Sequence, residues 1–182
     1  MNARLDKGHY LHVGCPSGKI NPLDAILKNH KFHIYLCDAV EEVADSLPDK
    51  IDTDRCLRII NVLPRELFLH QKDEELGLFP LLVIRSQPDF YISGIVDELV
   101  REHLTDTDQA AEILIPILDM ASGQKPANPD KLGYMFRSFF ENYRRHLSWE
   151  IEFLLPLAHK RLLPEDLADL NLHMFNNRKT SS

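Results

Sequence analysis

His70-Gln-Lys-Asp-Glu74, followed by Leu78-Phe79-Pro80-Leu81, recurs 76 residues later as His146-Leu-Ser-Trp-Glu150, followed by Leu154-Leu155-Pro156-Leu157. Both stretches read H-x-x-x-E-x-x-x-L-[FL]-P-L. A His and a Glu four residues apart stand one above the other on a helix, so both can face one object. The spacing alone is weak evidence, because nine His and twelve Glu in 182 residues give about 0.6 such pairs by chance. The shared Leu-[Phe/Leu]-Pro-Leu that follows makes coincidence a poor explanation. Two helices that each turn a His and a Glu inward are how helical bundles build carboxylate-bridged metal pairs.

Working outward, apolar and histidine positions step by three and four, the period of a bundle helix. Asn21-Pro22 starts the first helix as N-cap and first helical residue, with a seam of Ile26, His30, His33, Cys37, Val40, Ala44 and Leu47, and Pro48 ends it. The second helical region runs from about Asp52 to Ser86 on Leu63, Leu67, His70, Glu74, Leu78 and Leu81, with Pro64 expected to kink or restart it. The third spans about 88–121 on Ile92, Val96, Leu99, His103, Asp106, Ala110, Ile113 and Ile117. A loop is expected over 122–130, where Gly123, Pro126 and Pro129 cluster. The fourth seam is Leu132, Phe136, Phe139, Tyr143, His146, Glu150, Phe153 and Leu157. A short helix should open at Pro164 and fade by 176–177. No strand-like alternation of useful length occurs. The reading is all-α: an up-down-up-down four-helix bundle over 21–176 with a short C-terminal helix, an irregular arm at 1–20 and a frayed tail at 177–182.

Composition narrows the function. A net charge of −7 argues against nonspecific nucleic-acid binding. No apolar run reaches the length of a membrane span, and the N-terminus lacks the apolar stretch of a signal peptide. Cys15, Cys37 and Cys56 have no C-x-x-C spacing, and their odd number fits reduced thiols, so a cytoplasmic setting is expected. The pattern specifies no oligomeric state.

Each long helix carries a histidine near its middle: His30 or His33, His70, His103 and His146. Two helices add Glu74 and Glu150. A lone seam histidine is more often a hydrogen-bonded core residue than a ligand. Four imidazoles and two carboxylates converging in one core are different, because buried carboxylates demand partners and metal supplies them. The set suits two borderline divalent ions with shared carboxylates and an open position for a small ligand. Iron is the best match, with manganese, a mixed pair or zinc as alternative occupants.

These residues resemble the bacterial hemerythrin-like proteins of the HHE cation-binding type over about residues 22–176. The resemblance is carried by Pro22 to Cys37, Leu69 to Pro80, Arg101-Glu-His103, Tyr143 to Ala158 and Leu163-Pro-Glu-Asp-Leu-Ala168. It implies a non-haem centre of two oxygen-bridged iron ions held by His30, His70, Glu74, His103, His146 and Glu150. His30 is preferred to His33 because the family's first ligand precedes a Leu-Cys pair, as His30 precedes Leu36-Cys37. His33 becomes a partner of the ligand shell or a substitute ligand. Asp106 is a candidate acceptor for a ligand imidazole, with Tyr143 and Cys37 as candidate neighbours of the site.

The chain departs from the oxygen carriers of that family. Thr107 stands where they have a second histidine on the third helix, and Glu150 where they have an aspartate. It therefore resembles the four-His, two-Glu branch, which includes proteins linked to iron–sulphur cluster repair and nitric oxide chemistry. Those repair proteins usually carry an added cysteine-bearing domain, whereas here a 20-residue arm with Cys15 precedes the bundle. The leading expectation is a di-iron protein that binds or reacts with oxygen, nitric oxide or hydrogen peroxide as sensor, store or weak oxidoreductase. The alternatives are an iron-handling protein that holds and donates metal, and an interaction bundle without metal.

Overall fold

The computed structural model describes residues 21–87 and 90–180, so the arm at 1–20 and the last two residues of the expected tail lie outside the described residues. Among the described residues there are seven α-helices: α1 (Pro22–Asp45), α2 (Thr53–Asp73), α3 (Phe79–Ser86), α4 (Phe90–Ala121), α5 (Pro129–Trp149), α6 (Leu155–Arg161) and α7 (Pro164–Thr180). No strand occurs among the described residues.

Local chemistry sets the helix starts. The Asn21 side chain accepts from Leu23 N at 3.0 Å with Pro22 next, and Asp52 and Asn128 accept from Arg55 N and Lys131 N. The loop after α4 thus ends at Asn128, two residues before its expected limit, because Asn128-Pro129 repeats the Asn21-Pro22 start. Gly123 follows the end of α4 with φ +81°, a left-handed conformation that suits glycine. Pro64 neither ends nor restarts α2, and Pro116 sits likewise inside α4. A proline within a helix costs about 3 kcal/mol. Leu63 and Leu67, and Ile113 and Ile117, are buried beside these prolines, and each burial returns roughly 1.5–3 kcal/mol.

α1 packs on α2 and α5, and α4 packs on the same two, giving a four-cornered bundle of antiparallel neighbours. α2 continues into α3, and α5 into α6, through one π-helical turn each: Glu74–Leu78 and Glu150–Leu154. In both, the bond closing the turn runs five residues back, from Phe79 N to Glu74 O and from Leu155 N to Glu150 O. Pro80 and Pro156 suit the widening. Proline has no N–H for the carbonyl four residues back and its ring crowds that carbonyl, so the turn takes in one extra residue. The same proline position recurs after both turns, whereas Pro64 and Pro116 sit in helices without such a turn.

The extra residue rotates everything beyond it. Phe153, expected on the seam, is 56% exposed, whereas Leu154 and Leu155 are buried. On the other strand of the repeat Leu81 is half-buried and Leu82 takes the interior place.

The expected fraying from residue 177 is also corrected. α7 is helical to Thr180, and buried Asn177 donates to Asp73 Oδ1 at 2.8 Å while Arg178 pairs with Asp73 Oδ2 at 2.7 Å. α7 crosses the first π turn, where a Cβ on Gly77 would meet Leu170 and His173 at 2.9 and 3.0 Å.

The apolar interior is split into two layers. One gathers Leu36, Val40, Ile59, Leu63, Ile113, Ile117, Phe136 and Phe139. The other gathers Leu23, Ile26, Leu78, Phe79, Leu82, Leu99, Leu154 and Leu170. Between them lies a layer of buried histidines and glutamates.

Candidate metal centre

The six expected ligand residues meet in that polar layer, one from α1, one from α4, and two from each π junction. His70 and His146 end α2 and α5, and Glu74 and Glu150 open the widened turns. All six are buried, with Glu74, Glu150 and His30 at 0% exposure. His30 Nε2 lies 3.0 Å from Glu74 Oε1 and 3.0 Å from Glu150 Oε2. Glu74 Oε2 is 3.3 Å from His70 Nε2 and 3.4 Å from His103 Nε2. Glu150 Oε2 is 3.2 Å from His146 Nε2 and 3.9 Å from His70 Nε2, and its Oε1 is 4.0 Å from His103 Nε2. The ligand atoms fall into two clusters: His30, His70, Glu74 and Glu150, then His103, His146 and Glu150. Glu150 belongs to both.

This arrangement fits two cations. Nε2 of His70, His103 and His146, both oxygens of Glu74 and one of Glu150 are buried without a hydrogen-bond partner. Orphaned polar groups inside a protein cost about 1–3 kcal/mol each, and more when charged. Six of them aimed at one space give the electron pairs that divalent ions take up. Among the described residues no thiolate joins them: Cys37 lies in an apolar layer, with burial pushing its thiol up to about 12.

Outer contacts fix the rings. His103 Nδ1 meets Glu75 Oε1 at 2.7 Å. His146 Nδ1 has two carboxylate oxygens at 3.1 Å, Asp106 Oδ2 and Glu102 Oε2, neither aligned for a good hydrogen bond. Ligating histidines typically hand their second N–H to such acceptors. Asp106 is buried beside His146 Nδ1. Glu75 and Glu102 were not singled out, because neither lies on a seam; only the register between helices brings each against a neighbour's imidazole.

His33 stays outside both clusters. It is fully buried, its Nδ1 shares a 2.7 Å hydrogen bond with the Tyr143 hydroxyl, and its ring lies 4.8 Å from that of His70. Thr107 donates to Gln71, which in turn holds the His103 carbonyl, so α4 presents no second imidazole.

Charge in the centre follows from these contacts. Burial alone would push His30, His103 and His146 down. Glu150 and Glu74 outweigh it at His30, Glu74 and Glu75 at His103, and Glu150 and Asp106 at His146, giving about 9, about 9 and about 11. His33 is held down to about 3, and His70 is also lowered, by burial and neighbouring imidazoles. Glu150 is held well below the usual carboxylate range; His146 and His30 outweigh the burial that opposes this. The carboxylates thus favour a proton on three of the four clustered imidazoles, and metal binding needs them neutral. Loading metal at pH 7 should release about three protons per chain, read with an indicator dye in weak buffer. Metal uptake without proton release would show that the ions bind elsewhere.

The hemerythrin HHE cation-binding domain model matches residues 21–158. No curated protein and no solved structure matches the chain. The match covers the bundle and all six clustered residues, and stops short of α7. With four helices presenting imidazoles and carboxylates to one buried layer, the chain belongs to the hemerythrin HHE cation-binding family.

Proposed function

We propose that the protein is a non-haem di-iron protein that binds or reacts with a small diatomic or peroxide ligand, oxygen, nitric oxide or hydrogen peroxide. The observation that carries this reading is the pair of clusters sharing Glu150, whose inward atoms lack partners. His30, His70, Glu74 and Glu150 would hold one ion, and His103, His146 and Glu150 the other. When bound, a redox-active metal pair supplies electrons and open coordination positions for a small ligand.

The chain's own residues do the rest. Glu75 orients the ring of His103 and holds a proton at its Nδ1, while Asp106 and Glu102 place negative charge beside His146 Nδ1. The two apolar layers keep bulk water from the centre. Tyr143 and His33 form a closed polar pair beside it. Four imidazoles, against the five of the oxygen carriers, leave more of the coordination sphere open, which favours reaction over simple carriage. No helix among the described residues is long and apolar enough to cross a membrane; a cytoplasmic site of action is part of the proposal.

Metal analysis with anaerobic and aerobic spectra of freshly purified protein tests this. Bound iron and a visible band that changes on adding oxygen, nitric oxide or peroxide are expected. Iron without any spectral response would favour an iron-holding role, and absence of metal would leave an interaction bundle.

A further inference from the structure

Glu74 and Glu150 each open a π turn, but the two turns are held differently. The turn at Glu150 packs chiefly on α5 and α6, the helices it joins, whereas the turn at Glu74 also packs on α7. A π turn is a rare local form, and a metal ligand needs placing to within about 0.5 Å. A glutamate carried on such a turn gains from a support outside it.

α7 brackets Glu74. On one side lies Asp73, the last residue of α2, whose carboxylate is buried against α7. Asn177 Nδ2 donates to its Oδ1 at 2.8 Å, and Arg178 Nη2 lies 2.7 Å from its Oδ2. His173 Nε2 is 3.4 Å from the Lys72 carbonyl. On the other side Gly77 meets Leu170 and His173 so closely that a Cβ would not fit. Leu170 and Met174, also buried, continue the same face of α7 by steps of four and three to Asn177.

Apolar side chains alone could pack a helix here. A buried carboxylate is costly unless its partners stay in place, so the Asp73 pairing fixes one register. A slip of α7 by one residue would strand that carboxylate. The start of α7 is tied separately, by Arg85 to the two oxygens of Asp166 at 2.7 and 2.9 Å. α7 lies beyond residues 21–158, the part that the family model matches.

We propose that the end of α7 positions Glu74 as a metal ligand. Asn177 and Arg178 hold Asp73, and through it the π turn, at the register in which the Glu74 carboxylate faces His30, His70 and His103. The inference rests on the di-metal reading above. Asp73, Asn177 and Arg178 act only through the backbone of the adjacent residue. Loosening them therefore weakens the cluster that contains Glu74 and spares that of His103, His146 and Glu150.

The test uses the full chain, stripped and then titrated anaerobically with ferrous iron against a competing chelator. The wild type should fill two sites. Arg178→Gln should fill one of them as the wild type does and the other about 10–100-fold more weakly, the scale for groups that orient a ligand. Asn177→Ala, which cuts the second contact, should give the same pattern. Arg178→Lys, which keeps a cation for Asp73, should bind closer to the wild type than Arg178→Gln does. Asp166→Asn loosens α7 at its other end, so it should lower the melting temperature and leave both iron affinities unchanged. Unchanged affinities in Arg178→Gln and Asn177→Ala would overturn the proposal. So would equal weakening of the two sites, or the same loss in Asp166→Asn, because α7 would then be a general support of the bundle. Wild-type protein that takes up no iron would instead sink the proposed function; two filled sites beside unchanged variants sink the positioning role alone.

Discussion

Replacing Glu150 with glutamine should empty the centre of both ions. Glu150 lies within 4.0 Å of every one of the four clustered imidazoles and belongs to both ligand clusters. Glutamine keeps the volume, so the core need not collapse, but it removes the charge that offsets two cations and halves the acceptor oxygens. Metal per chain should be no higher than in any single-histidine variant. Glu75→Gln should behave differently, losing about 10–100-fold in affinity while still filling at high metal, as expected for a residue that only orients a ligand. A Glu150→Gln protein with normal metal content would remove Glu150 from the centre.

Stripping the metal should lower the melting temperature by roughly 10 °C. An ion present at a thousand times its dissociation constant adds about 4 kcal/mol, and a chain of this size shifts about 2–4 °C per kcal/mol. The pH dependence of the two forms should also diverge. In the stripped protein His30, His103 and His146 titrate above an unfolded imidazole. Their contribution is whole below pH ~6.5 and is lost as pH rises through about 9 and then about 11. His33 and His70 have the opposite sign, stabilising above pH ~6.5 and losing that contribution as pH falls. The loaded protein already holds its imidazoles neutral, so it should keep its stability at alkaline pH and lose metal in acid. Melting curves against pH with and without chelator check this; superimposable curves would mean that metal is not part of the core.

The bundle was legible because each long helix keeps a constant seam up to its ligands, and because Asn21-Pro22 and Asp52 are strong starts. The six clustered residues were legible for the same reason: a polar residue on an apolar seam is conspicuous. Phe153 shows where that reasoning stops. A periodic reading assumes one turn size, and the turns after Glu74 and Glu150 hold an extra residue. The signal was present in Pro80 and Pro156, six residues past each glutamate, but its consequence is geometric. Glu75 and Glu102 were hidden differently, since their partners lie on other helices and no spacing within one helix encodes that register. The hold of α7 on Asp73, next to Glu74, was hidden in the same way.

The most direct test of the central claim is metal content per chain in the wild type, His30→Ala and His33→Ala. His30 Nε2 stands 3.0 Å from both glutamates, whereas His33 is tied to Tyr143 one turn away. Two ions are expected in the wild type, one for each cluster, and two in His33→Ala. One or none is expected in His30→Ala. A wild type that holds no metal, or a His33 variant that loses it while the His30 variant keeps it, would contradict the account.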